Sequence, residues 1–239
     1  MSWLQGYSDA GIYKVLKRLG FSKKQALNFI HSPDPNYRFK WQRILAAYQE
    51  VLANPETAVL LFQDELTYYR RAHLKKRWQK MGAKAVRHHQ ATGANTKARI
   101  TATLNALTGQ VLFLQRHKVG CHELATFYAQ VRQAYPSARR IYLVQDNWPI
   151  HRHPDVLNAL EQQQITPLFL PTYASWLNPI EKLWRWLRQD ILHDHDEAKT
   201  FKRLRQRVSD WLEQFAHRSL KLLHYVGILT EEELPLYQY

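Results

Sequence analysis

Two aspartates in this chain close apolar runs in the same way. Ala58, Val59, Leu60, Leu61 and Phe62 lead into Gln63-Asp64-Glu65, and Ile141, Tyr142, Leu143 and Val144 lead into Gln145-Asp146-Asn147. A short continuous run of β-forming apolar residues reads as a strand buried on both faces, so each aspartate is expected at the carboxyl end of a central strand. A carboxylate there is costly unless a cation or hydrogen-bond donors compensate it. Neighbouring Arg and Lys offer one compensation, and the all-oxygen donor set that Mg²⁺ prefers points to another. A third carboxylate, Glu181, follows Asn178-Pro179-Ile180 at the start of a helix expected to reach about His193. Asn at the N-cap, Pro at the first helical position and Glu three residues after the cap make a capping box, which by itself explains Glu181 without any chemistry. The 34 residues between Asp146 and Glu181 leave room for one helix and one returning strand, which would bring Glu181 back beside the strand that ends at Asp146.

Cations flank these acids. On the Glu181 helix, Ile180, Leu183, Trp184, Leu187 and Ile191 make the core stripe, while Lys182, Arg185 and Arg188 recur at three-residue steps on a more exposed side. Between Tyr68 and His89 a second basic stretch contains Lys75, Lys76 and Arg77. A solvated charged surface and a phosphate-binding face both account for such stretches. Over the whole chain, 34 Lys plus Arg stand against 20 Asp plus Glu, a formal net charge of +14 in 239 residues. That surplus favours a polyanionic partner, with nucleic acid first. The single cysteine, Cys121, excludes an intramolecular disulfide and a cysteine-based zinc cage. With no long apolar run and no secretory leader after Met1, no membrane association is expected and the expected location is the cytoplasm.

The elements that must position these groups follow from the pattern. Ser8 to Gly20 reads as a short helix with Ser8 or Asp9 as its cap, a stripe of Ile12, Val15, Leu16 and Leu19, and Lys14, Lys17 and Arg18 opposite. It suits either the last helix of a helix-turn-helix or an amphipathic surface helix. Phe21 to Arg38 reads as a linker, and Trp41, Ile44, Leu45, Tyr48 and Leu52 mark a helix ended by Asn54-Pro55. After the Asp64 strand, Ile100 to Leu107 and Val111 to Val119 form a hairpin around Thr108-Gly109-Gln110. A helix from His122 to Tyr135, the Asp146 strand, a helix from Pro154 to about Gln164 and a strand from Ile165 to Leu170 follow. Three antiparallel strands, then strands reached through helical crossovers, is the order of a ribonuclease-H-like mixed α/β sheet. Three divisions are expected: residues 1–55 as a helix-turn-helix remnant with a linker helix, 56–195 as the catalytic domain, and 196–239 as a helical extension packed on it.

The segments LLFQDE, YLVQDNWPIH and LPTYASWLNPIEKLW resemble the catalytic core of mariner-like DDE transposases, especially those of bacterial insertion sequences. The resemblance covers roughly residues 56 to 195, with a weaker match over 8 to 55. It implies that Asp64, Asp146 and Glu181 are a catalytic triad holding two Mg²⁺ ions, with Mn²⁺ as a substitute. It further implies that Asn147, His151, Asn178 and Pro179, with Glu65, orient those ligands or touch a phosphate, although His151 also fits a surface turn. The implied activity is metal-dependent cleavage and strand transfer at transposon ends in double-stranded DNA, by a homodimer that pairs two ends, in a bacterial cytoplasm at the nucleoid. A catalytically silent DNA-binding remnant is the competing expectation, because only part of the family's amino-terminal DNA-binding region is visible.

Overall fold

The computed structural model describes residues 8–22, 31–75, 80–82, 84, 87 and 93–229. The chain divides into two compact units, Met1–His31 and Ser32–Tyr239. In the first, α1 (Asp9–Arg18) is capped by Ser8, whose Oγ accepts from the Gly11 N–H at 3.2 Å. Its stripe of Val15, Leu16 and Leu19 has no cover among the described residues of its own unit.

The second unit is built on a five-stranded sheet among the described residues, ordered β3-β2-β1-β4-β5. Its strands are β1 (Ala58–Tyr69), β2 (Lys97–Asn105), β3 (Val111–Arg116), β4 (Arg140–Gln145) and β5 (Ile165–Phe169). β1, β2 and β3 pair antiparallel; β4 lies parallel to β1 and β5 parallel to β4. The crossovers are α3 (Cys121–Ala134), between β3 and β4, and α4 (Pro154–Gln162), between β4 and β5. This is the ribonuclease-H-like arrangement.

Strand alternation assigns the two cores. On β1, Val59 and Leu61 pack with Phe127, Tyr128, Val131, Val156 and Leu160 of α3 and α4. Leu60, Phe62, Leu66 and Tyr68 face the other way, onto α2 (Tyr37–Ala53), α5 (Ile180–Leu187), α6 (Phe201–Glu213) and α7 (Leu220–Val226). Each fully buried Leu or Phe contributes about 1.5–3 kcal/mol, so the central strand is the best-anchored element available to carry a functional side chain. α2 commits Ile44, Ala47 and Val51 to this core, and α6 and α7 commit Leu204, Val208, Leu212, Leu222 and Val226. Residues after α5 also cover the exposed side of edge strand β3: the Val111 N–H donates to the Phe215 carbonyl at 2.8 Å, and the Gln115 and Arg205 side chains bond each other at 2.8 Å. A covered edge cannot recruit a foreign strand.

Two expectations need correction. β1 does not stop at Asp64 but continues to Tyr69, because its antiparallel partner β2 extends to pair Lys97 with Tyr69, whereas the parallel ladder with β4 ends at Phe62 opposite Val144. The apolar run recorded where one neighbour stops, not where the strand stops. The Glu181 helix is regular only to Leu187 and continues as a wider π turn over Arg188–Leu192. Among the described residues no helix is long and apolar enough to cross a membrane.

Candidate active site

Register brings the two aspartates together. The last parallel pair is Phe62 with Val144; β1 continues through Gln63-Asp64 while β4 ends at Gln145 and the chain leaves it at Asp146, so Asp64 and Asp146 each stand two residues past that last pair. Alternation then sends Asp64 and Glu65 to opposite faces. Asp64 faces α5, where its Oδ2 accepts from the Trp184 indole N–H at 2.9 Å. Glu65 faces α3 and α4, where its Oε1 accepts from Gln63 Nε2 and from the Thr101 hydroxyl, both at 2.9 Å.

The segment after β4 turns His151 back into this second face. His151 is completely buried, with Nδ1 3.0 Å from Asp146 Oδ1 and Nε2 3.4 Å from Glu65 Oε2. It is not a surface turn residue. Burial works against an imidazolium there, but the bonds to Asp146 and Glu65 prevail and push its pKa up to about 10. The same pairing, with the Trp148 N–H donating to Asp146 Oδ1 at 2.9 Å, overcomes partial burial and holds Asp146 below the usual carboxylate range. The Trp148 ring stands edge-on to His151, with ring centroids 5.4 Å apart.

Asp64 experiences the opposite field. Burial first, then the charges of Glu181 and Glu65, push it up to about 8, against the donors that favour its ionised form. Glu181 is also raised: burial and the nearby Asp146 outweigh Arg188 and Arg185. The three acids therefore act on one another electrostatically, Glu181 on Asp64 and Asp146 on Glu181.

The expected capping box at α5 is absent. Pro179 occupies the N-cap, and among the described residues no side chain caps the helix. The buried Asn178 instead donates from Nδ2 to the Gln63 carbonyl at 2.9 Å, because a buried main-chain acceptor needs a donor and Asn178 is within reach. Glu181 is thus not spent on its own helix, and Asn178 ties the start of that helix to the residue before Asp64. Asn147 similarly donates to the Leu170 carbonyl at 2.7 Å and accepts from Arg152 Nη2 at 2.5 Å, joining the loops that follow β4 and β5.

An oxygen-ligated divalent cation suits this centre. Asp146 and Glu65 flank one buried imidazolium, and across the strand a carboxyl pushed up to about 8 by burial and then by the charges of Glu181 and Glu65 marks negative charge that a cation would relieve. The donor oxygens of Asp64, Asp146 and Glu181 do not converge as a closed set in this structure. Among the described residues, the group with all donor atoms within 4.8 Å of one another is Cys121, His153 and Asp155, at the starts of α3 and α4.

Of the expected phosphate contacts, Arg185 and Arg188 are exposed and close enough to Glu181 to lower its pKa. Lys182 instead sends its ammonium to the Val226 carbonyl at the end of α7, at 2.7 Å. Lys75 is exposed, with its backbone N–H bonded to Asp194 Oδ1 at 2.9 Å; Lys76 and Arg77 lie outside the described residues. Sequence reasoning missed Trp184 as the partner of Asp64 because Trp184 also fits the core stripe. It also missed Asp34, whose Oδ2 takes the Thr172 N–H at 2.8 Å and Lys40 Nζ at 2.6 Å. The only signal was an Asp in a Pro-rich stretch that reads as a linker.

A ribonuclease-H-like sheet with acids at its two central strands and on the following helix defines a class of polynucleotide-processing domains. Within it, the chain belongs to the DDE superfamily endonuclease family, whose model matches residues 59–205. It is 23% identical over 196 residues to an uncharacterised 39 kDa protein of insertion element IS630 from Shigella sonnei, covering 82% of this chain and 56% of that protein. The chain thus spans little more than half the length of this curated relative. Among solved structures it is similar to the Mos1 transposase in a paired-end complex with the left transposon end, with TM-score 0.62 and 15% identity over 98% of this chain and 70% of that one. The Mos1 mariner paired-end complexes with Mn and with Mg match at TM-scores of 0.62 and 0.59, with 15% and 14% identity over the same shares.

Proposed function

We propose that this chain is the catalytic part of a DNA transposase, which cleaves phosphodiester bonds at the ends of a mobile element and joins the freed 3′ end to target DNA. The observation that carries this reading is that Asp64 and Asp146 each stand two residues past the last β1–β4 pair, with Glu181 acting electrostatically on Asp64. Membership of the DDE superfamily endonuclease family and the likeness to Mos1 complexes formed with transposon ends and with Mn or Mg support it.

Asp64, Asp146 and Glu181 would hold two Mg²⁺ or Mn²⁺ ions. Ions bound there would supply Lewis acidity to the attacking water or 3′-hydroxyl and to the departing 3′-oxygen. The protein supplies the rest. His151 favours the ionised form of Asp146 and, as the hydrogen-bond partner of a ligating carboxylate, fixes its orientation. The Trp184 indole holds Asp64 toward α5, and Asn178 fixes the helix that carries Glu181 to the backbone beside Asp64. Arg185 and Arg188 offset phosphate charge as the strand approaches. The partner is double-stranded DNA, both element ends and target. Pairing two ends calls for a homodimer, and the host compartment is a bacterial cytoplasm.

The test is cleavage and strand joining on labelled duplex DNA carrying element ends, with Mg²⁺ or Mn²⁺, for the wild-type chain and Asp146→Asn. Metal-dependent joined products that vanish in the variant are expected. Nicks without joining would reassign the chain to a plain nuclease. A folded, DNA-binding chain that yields neither product when supplied with an upstream DNA-binding region would establish the catalytically silent alternative.

A further inference from the structure

The carboxyl edge of the sheet holds a second feature that the carboxylate centre does not use. A cavity of about 240 Å³ opens between the start of α2 and the end of β5, lined by Phe39, Lys40, Arg43, Arg152 and Phe169 among others. Its three cations come from two separate segments, and among the described residues only one is neutralised. Lys40 is paired with Asp34 at 2.6 Å. Arg43 and Arg152 have no carboxylate partner among the described residues; each guanidinium lies over an aromatic ring, Arg43 over Phe39 at 6.0 Å and Arg152 over Phe169 at 4.6 Å. A ring positions a guanidinium without cancelling its charge, and it leaves the edge donors free to form the two-pronged contact that a phosphate accepts. A lone exposed Arg beside a Phe is ordinary protein surface. Here two such pairs face one cavity, and one of them donates to Asn147 at 2.5 Å, the residue next to Asp146.

We infer that this cavity binds a backbone phosphate of the DNA strand that the carboxylate centre acts on, with Arg43 and Arg152 as its charged contacts. The inference rests on the proposed function and extends it to residues outside the DDE carboxylates and the basic helix face. Cations on α2 and after β4 would extend the strand's path from Arg185 and Arg188 across the carboxyl edge of the sheet. Arg152 would link occupancy of the cavity to the loop that carries Asp146 and Asn147.

The experiment measures equilibrium binding of a labelled duplex by fluorescence anisotropy from low to high salt. It compares the wild-type chain with Arg43→Gln, Arg152→Gln, the double variant and Arg139→Gln. Arg139 is an exposed residue just before β4, at the opposite edge of the sheet. Removing one phosphate-binding cation lowers the slope of log K against log salt by about 0.9. Each single cavity variant is therefore expected to reduce the slope by about 0.9, the double variant by about 1.8, and Arg139→Gln not at all. Because Arg43 makes no bond to the Asp146 loop among the described residues, its variant reports the phosphate contact free of any effect on that loop, and thermal melts confirm folding. A double variant with the wild-type slope and affinity overturns the inference while leaving the proposed function standing. A wild-type chain that does not bind duplex even when joined to an upstream DNA-binding region, or binds it without salt dependence, overturns both.

Discussion

Asp64 and Asp146 each follow a glutamine yet end with opposite proton affinities, and the difference lies first in burial, which dominates at Asp64, and then in their neighbours. Asp146 has a buried imidazolium and a backbone N–H; Asp64 has two other carboxylates. A folded-state pKa raised to about 8, against an unfolded value near 3.9, means that the protonated form of Asp64 favours folding. That contribution is complete below about pH 3.9 and is lost as pH rises through about 8. In metal-free buffer, the melting temperature of Asp64→Asn minus that of the wild type should therefore grow as pH rises from 4 to 8; a flat difference would contradict the burial of Asp64 among acids. Divalent cation should offset the same loss. Mg²⁺ at a hundred times its Kd stabilises the wild type by about 2.7 kcal/mol, and the rise in melting temperature should be largest near pH 8 and strongly reduced in Asp146→Asn. His151 is raised in the same sense, so its contribution is present below about pH 6.5 and is also lost as pH climbs through about 10. Comparison with the Asp64 variant is needed to separate the two.

At the scale of elements, the segment that leads into α5 is held at both ends. Thr172 is anchored by Asp34 and Asn178 by the Gln63 carbonyl, so Glu181 is presented from a fixed span. Asp34→Ala removes these bonds and leaves the Lys40 ammonium without its partner, which should cost about 2–4 kcal/mol in urea unfolding at pH 7. The Lys40 ammonium and the Thr172 N–H hold Asp34 well below the usual carboxylate range. Its stabilisation is therefore present above about pH 3.9 and lost as pH falls below that value, so the gap between variant and wild type should narrow in acid. Asn178→Ala orphans a buried carbonyl at a cost of about 1–3 kcal/mol. If the tie also aims Glu181, kcat should fall while DNA affinity is unchanged; an unaltered kcat would reduce Asn178 to a stabilising role.

For the molecule as a whole, a formal charge of +14 predicts DNA binding that weakens steeply with salt, by about 10³–10⁵ between 50 and 200 mM if six to ten phosphates are contacted. Filter binding over that range checks it, and a tenfold change or less would mean that most of the basic surface does not meet DNA. The sheet separates the two supports of the site. α5, with its indole bond to Asp64, packs on one face; His151, Glu65 and Thr101 buttress from the other. Substitutions on opposite faces should therefore combine additively in stability but not in rate, since both bear on the one proposed reaction centre.

Much of this was legible along the chain. The two Gln-Asp repeats, the hairpin around Gly109, the crossover helices and the apolar stripe of α5 are local patterns, written in residues near one another and confirmed by the sheet order. Asp64, Asp146 and Glu181 could be singled out on that basis. The choice of partner was not legible, because it is made by chain segments that meet only on folding. Asn178 suited a helix cap as well as it suits the Gln63 carbonyl, 115 positions away, and Asp34 in its polar stretch carried no mark of Thr172, 138 positions away. His151 read equally as a turn residue until the turn was packed inward between two acids. Local spacing determined which residues are candidates for chemistry; long-range packing, by setting what lies within about 3 Å of each in a low-dielectric interior, decided whose proton affinity is raised or lowered, which are held and which are spent.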